Sequence, residues 1–142
     1  MKNIYLNIIK FNKISLSKTV KYLQKNHIVG LPTETVYGLA GNAYSRSAIK
    51  KIYSLKKRPK FNPLIIHYYN LAASYRDIEV NKNFLSLYEK LCPGPITFIL
   101  KKKDSSKITS LATSGLKTIA IRFPNNRTIK RIMKKLDFPL AI

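Results

Sequence analysis

The most constraining feature of this 142-residue sequence is the alternation of short apolar runs with segments of helical periodicity. Short apolar runs bounded by Gly, Pro or charged residues are typical of buried strands. The predicted strands cover residues 4–9, 28–31 and 118–123, with others within 63–68 and 93–100, and residues 139–142 begin one more. Strands that alternate with helices predict an α/β domain with a mixed, twisted sheet.

Apolar residues three and four positions apart indicate the helices between these strands. The first is predicted to begin at Ser15 or Ser17, either of which could cap it, and to bury Leu16, Val20 and Leu23. The remaining helices are predicted from Ser45, with Ala48, Ile49, Ile52 and Tyr53 facing inward, and at 71–76, 83–91 and 128–136. Residues 32–43, with glycines at positions 38 and 41, predict a loop rather than a strand.

Length and composition predict a single domain over residues 1–142. Apolar residues make up 45% of the chain, which is enough for a hydrophobic core. The sequence has no apolar run of the roughly 20 residues that a membrane span needs, and its start lacks the cleavage site of a signal peptide. We therefore expect a cytoplasmic protein without a membrane partner. With one cysteine, Cys92, the sequence does not indicate a disulfide framework.

The charge of the chain is unusual. Lys and Arg total 27 and acids total 6, so the formal net charge is +21. A field of this size attracts polyanions, which favours contact with a nucleic acid. The alternative is compositional drift, because the sequence is rich in Lys, Ile and Asn together.

The scarcity of acids excludes several kinds of active site. No two of the six acids form a close pair suited to a two-carboxylate glycosidase. The two histidines and the cysteine are far apart in sequence, which argues against a protein-built metal site. The sequence lacks the GxGxxG, GxxxxGK[ST] and GxSxG motifs. Any chemistry must therefore depend on cations, hydroxyls and backbone donors.

The segment Lys-Lys-Arg-Pro-Lys-Phe-Asn-Pro concentrates cations at a stiff turn. Lys56 and Arg58 flank one residue at the predicted end of a helix, and Pro59 and Pro63 restrict the turn that follows. These cations could simply favour the helix C-terminus. Alternatively, the rigid turn orients the planar guanidinium of Arg58 to bind phosphate.

Three further segments carry polar groups that could meet in one cleft. Thr33 and Thr35 would point the same way along an extended backbone, with Glu34 pointing the other way, so their hydroxyls suit a small polar ligand. The alternative is a turn whose threonines bond to their own backbone. Arg122 shares a strand face with Thr118 and needs an anionic partner if that face is interior.

His67 ends a predicted strand, where it could either reach the same cleft or be purely structural.

Four of these segments together carry a resemblance. LPTETVYGL, KKRPKFNPLIIH, PGPITFIL and GLKTIAIRFP resemble the successive signature blocks of the YrdC-like family, which comprises the threonylcarbamoyl-AMP synthases. The resemblance implies a twisted α/β sheet with a positively charged concave face. It also implies the synthesis of threonylcarbamoyl-adenylate and pyrophosphate from L-threonine, bicarbonate and ATP, with Mg²⁺ carried by the nucleotide. Partner proteins would then transfer the threonylcarbamoyl group to an adenosine of tRNA.

The resemblance also implies roles for individual residues. The Lys-x-Arg element of the family matches Lys56 and Arg58, which would act on the phosphates of ATP as catalytic and nucleotide-binding residues. The remaining roles are nucleotide binding for Asn62 and Thr118, and L-threonine binding for Thr35, His67 and Arg122. No residue is assigned to a metal.

One block of the family is missing from the sequence. In the family a Pro-Ser-x-Asn block and further strands follow the last strand predicted here, whereas the sequence ends in Phe-Pro-Leu-Ala-Ile. We therefore expect a YrdC-like fold that lacks its last strands and is incomplete at the C-terminus. The alternatives to a synthase are a non-catalytic module that binds double-stranded RNA or tRNA, and an inactive fragment of a split or decayed synthase.

Overall fold

The computed structural model describes residues 8–142 and contains five helices and six strands in that range. In chain order they are α1 (Lys13–Gln24), β1 (Val29–Pro32), β2 (Tyr37–Asn42), α2 (Arg46–Lys56), β3 (Ile65–His67), α3 (Leu71–Ser74), α4 (Lys82–Leu91), β4 (Thr97–Lys101), β5 (Thr118–Arg122), α5 (Arg127–Met133) and β6 (Leu140–Ala141). Among these residues, no helix is both long enough and apolar enough to cross a membrane.

The strands form one mixed sheet in the order β1-β2-β6-β3-β5-β4. The β3–β5 pair is parallel, and the other four pairs are antiparallel. The predicted fold class, an α/β domain with a mixed sheet, is therefore confirmed. The central strand β3 is short, but both its neighbours hold it in register: Ile66 lies opposite Ile121 of β5 and Ala141 of β6.

Two hydrophobic cores lie on the two faces of the sheet. The first includes Ile66 and Ile121 from the sheet and Ile49 and Ile52 from α2, all fully buried. The second lies where α1 and α5 pack near β1, β2 and β6, and it includes Leu140. Because neighbouring residues on a strand point to opposite faces, Leu140 and Ala141 can contribute to different cores.

Three local predictions are corrected by the structure. The first helix is capped by Asn12, not by Ser15 or Ser17, since Asn12 Oδ1 accepts from the Ser15 amide at 2.9 Å. The Ser15 hydroxyl in turn accepts from the Asn12 amide at 2.7 Å, which completes a capping box one turn earlier than predicted. Of the strand predicted at 4–9, residues 4–7 lie outside the described residues, and Ile8 and Ile9 are not in a strand.

The segment predicted as a loop at 32–43 contains strand β2, which forms a hairpin with β1. Its two glycines misled the prediction, because Gly weakens an isolated strand pattern. Both are required by close approach: a Cβ on Gly38 would lie 2.3 Å from Ile142 Cγ2, and one on Gly41 would lie 3.3 Å from each of three side-chain atoms of the core.

A buried carboxylate ties together the ends of three strands. Asp77 is 1% exposed, and its Oδ2 accepts hydrogen bonds from the hydroxyls of Tyr44 at 2.8 Å and Tyr68 at 2.9 Å. Its Oδ1 accepts from the Ser106 hydroxyl at 2.6 Å. Burial, reinforced by Asp77, raises the pKa of both tyrosines, so both keep the protons that they donate.

Removal of one of these donors should destabilise the fold. We expect Tyr68→Phe to lower the free energy of unfolding by about 1.5–3 kcal/mol, the range for a hydrogen bond to a charged group. Urea unfolding followed by circular dichroism measures this change. Tyr69→Phe is the matched control, because Tyr69 is exposed and its hydroxyl makes no hydrogen bond to the described residues. Equal stabilities of the two variants would contradict a structural role for the Asp77 network.

Candidate active site

One face of the sheet is covered at one end and open at the other. On β5, Ile119 and Ile121 are buried, whereas Thr118 is exposed and Arg122 half-buried, so the two pairs point to opposite faces. The face with Arg122 is the one that Leu140 occupies farther along the sheet, since Leu140 pairs with His67 and His67 with Arg122. Helices α1 and α5 pack at the Leu140 end, while Ile99 on β4 is 65% exposed.

Three polar side chains form a row across this open face. His67 of β3 lies beside Arg122 of β5, and Arg122 lies opposite Thr97 of β4. Strand partners in register direct their side chains to the same face. The parallel pairing also brings the carboxyl ends of β3 and β5 to one edge, so His67 and Arg122 meet where both strands end.

Arg122 is held by a neutral group and retains free donors. Its Nε and Nη2 donate to the Thr97 hydroxyl oxygen at 3.1 and 2.8 Å. No carboxylate lies within 4 Å of it among residues 8–142. A guanidinium has five N–H donors, and the structure gives the others no partner in the described part of the chain. The side chain is thus oriented and half-buried, and it can accept an anionic ligand.

His67 is almost completely enclosed, with 2% of its surface exposed. Its Nδ1 lies 3.0 Å from the carbonyl oxygen of Ile65. Burial is the main reason that the pKa of His67 falls to about 4, and the positive charge of Arg122 contributes. The ring is therefore neutral near pH 7.

The tip of the β1–β2 hairpin brings an acid to the same place. Glu34 affects His67 electrostatically, since its negative charge partly offsets the lowering of the histidine pKa. Its Oε1 accepts from the backbone N–H of Asn125, in the loop after β5, at 2.6 Å. Asn126 Nδ2 adds a bond of 3.4 Å to the carbonyl of Thr33, so two contacts hold the tip against that loop.

The predicted orientation of the two threonines at this tip is not observed. Residues 33–36 form a tight turn rather than an extended strand, and the Thr33 hydroxyl donates to the Val36 carbonyl at 2.5 Å. The alternative of a threonine bonded to its own backbone is therefore correct for Thr33. Thr35 lies on the same tip, is exposed, and makes no side-chain hydrogen bond to the described residues.

The cationic turn after α2 is built as the prolines predict. Arg58 donates from Nε to the carbonyl of Asn62 at 3.2 Å and from Nη2 to the carbonyl of Pro63 at 2.9 Å. The Tyr53 hydroxyl donates to the same Asn62 carbonyl at 2.7 Å. The guanidinium thus closes the turn on itself, which fixes the place of its positive charge.

The other residues of the predicted phosphate site lie around this turn. Lys56 ends α2 and is exposed, and partial burial and the nearby charge of Arg58 lower its pKa. Arg58 also lines a cavity of about 510 Å³ together with Arg46, Lys50 and Lys60. The side chain of Asn62 is exposed at the tip of the turn.

The structure brings the predicted site residues together in two groups. His67 and Arg122 meet at one end of the β3–β5 pair, and Lys56, Arg58 and Asn62 form the turn that leads into the other end. Thr118 begins β5, two residues before the partner of Ile65, and so lies toward the end where the turn enters β3. No hydrogen bond or ion pair joins the two groups in the range 8–142.

Sequence reasoning missed Glu34 and Thr97 as functional residues. The signal for Thr97 was available, since it alternates with Ile99 and Lys101 on a strand that could pair with β5. Glu34 had a weaker signal, as a lone acid in a polar turn between apolar strands. The groups in place are cations, neutral donors and one acid, and among residues 8–142 no three His, Cys, Asp or Glu side chains lie close enough to bind a metal ion.

Comparison with known proteins agrees with this fold. Threonylcarbamoyl-AMP synthase of Bacillus subtilis is 34% identical over 132 residues, which cover 92% of this chain and 38% of that protein. The synthase of Pyrococcus abyssi is 35% identical over 125 residues, which cover 84% of this chain and 35% of that protein. This chain therefore spans little more than a third of the length of these two relatives.

A solved structure and a family model extend the comparison. The structure of P. abyssi Sua5 complexed with L-threonine matches with a TM-score of 0.87 and 30% identity, over 94% of this chain and 39% of that one. The family model Sua5/YciO/YrdC, described as telomere recombination, matches residues 21–142. Because that match spans most of the sequence and the sheet superposes closely on Sua5, the chain belongs to the Sua5/YciO/YrdC family.

Proposed function

We propose that this chain is the substrate-binding part of a threonylcarbamoyl-AMP synthase and acts as one domain. The observation that carries the proposal is the arrangement of two polar groups at the two ends of β3 on one sheet. Asn62 and His67 are five residues apart, so their Cα atoms are at most about 18 Å apart. The relatives named as threonylcarbamoyl-AMP synthases support the choice of reaction.

In this proposal, His67 and Arg122 bind L-threonine on the open face. The amino acid offers a carboxylate, and the free donors of the Arg122 guanidinium match a carboxylate in geometry and charge. Thr97 keeps the guanidinium plane fixed, which reduces the side-chain entropy lost on binding. Thr35 is exposed on the adjacent hairpin tip and contacts the same ligand.

The cationic turn binds the nucleotide. Lys56 and Arg58 face the phosphates of ATP, while Asn62 and Thr118 complete the nucleotide contacts. Mg²⁺ arrives with the nucleotide and keeps its own waters, so it needs no protein carboxylate. An anion beside Lys56 would also offset the partial burial and the charge of Arg58 that lower the pKa of this lysine.

The reaction requires positioning more than a protein nucleophile. The amine of threonine and bicarbonate form a carbamate and release water. A carbamate oxygen then attacks the α-phosphorus of ATP, the bond from that phosphorus to the β-phosphate oxygen breaks, and pyrophosphate leaves. Cations near the developing negative charge and an in-line arrangement of the reactants supply the acceleration.

The net charge supports an RNA partner. Residues 8–142 contain two ion pairs, Arg76 with Asp77 and Lys101 with Glu79, so most cations remain uncompensated. We propose that these cations bind tRNA or another RNA in the cytoplasm, where partner proteins transfer the threonylcarbamoyl group to adenosine.

Loss of Arg122 should weaken threonine binding. We expect Arg122→Ala to reduce the affinity by about 1.5–3 kcal/mol, or roughly ten- to 150-fold, because a charge-assisted hydrogen bond is removed. Isothermal titration calorimetry with L-threonine measures this. Arg131→Ala is the control, since Arg131 lies over the Phe11 ring, away from the open face. An unchanged threonine affinity in Arg122→Ala would remove the carboxylate assignment.

Loss of Lys56 should weaken the binding of triphosphate more than that of nucleoside. We expect Lys56→Gln to raise the Kd of Mg·ATP by about fivefold, because a surface ion pair contributes up to about 1 kcal/mol. The affinity for adenosine should not change. Equilibrium dialysis against both ligands measures the two effects, with Lys90→Gln on α4 as an exposed control. An equal loss of affinity for ATP and adenosine would place Lys56 outside the phosphate site.

RNA binding should depend strongly on salt. We expect the association constant for tRNA to fall steeply as salt rises from about 50 to 200 mM, because each neutralised phosphate releases counterions. Filter binding across this range gives the slope of log K against log salt. A slope near zero, or no binding at low salt, would show that the lysines reflect composition and not RNA binding.

A further inference from the structure

The hydrogen bond of His67 fixes its tautomer. A carbonyl oxygen can only accept, so the 3.0 Å contact with Ile65 requires that Nδ1 carries the hydrogen. In a neutral ring the other nitrogen, Nε2, is then an acceptor. This Nε2 is buried and has no hydrogen-bond partner among residues 8–142.

Glu34 presents a second acceptor of the same kind. Its Oε1 is occupied by the Asn125 amide, but its Oε2 is buried and has no partner in the described residues. Within that range, Glu34 Oε2 and His67 Nε2 are the two buried side-chain nitrogen or oxygen atoms without a hydrogen bond. Both belong to the open-face site, where the charge of Glu34 acts on His67.

Two buried acceptors without donors are costly for a free protein. Buried polar atoms are nearly always paired, and an unpaired one loses its hydration without compensation. A ligand that supplies two donors removes this cost. The same ligand must supply an acceptor for Arg122, whose remaining N–H groups are free.

L-Threonine has this combination of groups. Its carboxylate accepts, and its ammonium and β-hydroxyl both donate. A charged donor makes its strongest hydrogen bond to a charged acceptor, so the ammonium matches the carboxylate of Glu34. The neutral hydroxyl then matches the neutral imidazole.

We propose that Glu34 binds the α-amino group of the substrate and that His67 Nε2 accepts a hydrogen bond from its β-hydroxyl. This inference rests on the proposed threonine site and adds to it a residue for each remaining polar group. Glu34 is thereby a substrate-binding residue and His67 determines selectivity for a hydroxy amino acid. A carbamate nitrogen retains one N–H, so Glu34 can still accept from it after the amine has reacted.

The test compares ligands that differ in one group. Glu34→Gln keeps the size of the side chain and an oxygen for the Asn125 amide but removes the charge. We expect this variant to bind L-threonine about tenfold or more weakly than the unaltered chain, while (R)-3-hydroxybutanoate, which lacks the amino group, binds both equally. Ligand-observed NMR titrations give both affinities.

The hydroxyl is tested with L-valine, which replaces it with a methyl group. We expect the unaltered chain to bind L-valine about a hundredfold or more weakly than L-threonine, because a site built for a hydroxyl rejects an analogue that leaves its acceptor unpaired. In His67→Phe this preference should largely disappear. A valine affinity equal to that of threonine in the unaltered chain would overturn the role of His67.

The outcomes separate this inference from the proposed function. If the unaltered chain binds no L-threonine, the threonine site fails and the Glu34 assignment fails with it. If it binds L-threonine and Glu34→Gln binds equally well, only the Glu34 assignment is wrong. If Glu34→Gln loses affinity for L-threonine and (R)-3-hydroxybutanoate alike, Glu34 acts by shaping the hairpin tip, which also overturns the assignment.

Discussion

The parallel pairing of β3 with β5 is the constraint on which the rest of the molecule depends. It joins chain segments more than 50 residues apart and opposes Ile66 to Ile121 on one face and His67 to Arg122 on the other. The first pair is fully buried in the core beneath α2, and burial of such side chains stabilises each by about 1.5–3 kcal/mol. Because a slip of one residue would exchange the two faces, the same burial that stabilises the sheet fixes the site geometry.

Much of this fold could be predicted from the sequence because its signals are local. Ile119 and Ile121 alternate with polar neighbours, and the helix that begins after Ser45 buries the predicted inner face. The hairpin at 37–42 could not be predicted, because its glycines are required by contacts with Ile142 and α2 that exist only in the folded chain. The Asn12 cap was missed because three polar residues compete for the start of that helix.

The site was less predictable because its decisive contacts are long-range. Arg122 and His67 were assigned from the resemblance, and their adjacency follows from strand register. Glu34, however, is placed by a bond to Asn125, 91 residues away, and a turn tip has no periodicity from which side-chain direction can be inferred. The tautomer of His67, which makes its outer nitrogen an acceptor, likewise depends on one backbone carbonyl and not on any sequence pattern.

The ends of the sheet have a consequence for how copies of the chain behave in solution. β1 and β4 are the two edge strands, and exposed edges can pair with strands of other molecules and lead to aggregation. β4 runs directly into Lys101, Lys102 and Lys103, and β1 ends at Pro32, which has no N–H to donate. With a net charge of +21, free chains repel one another at low ionic strength, and salt weakens this repulsion. A polyanion bound in excess of its capacity for separate copies would neutralise these lysines and bring the two kinds of edge within reach of each other.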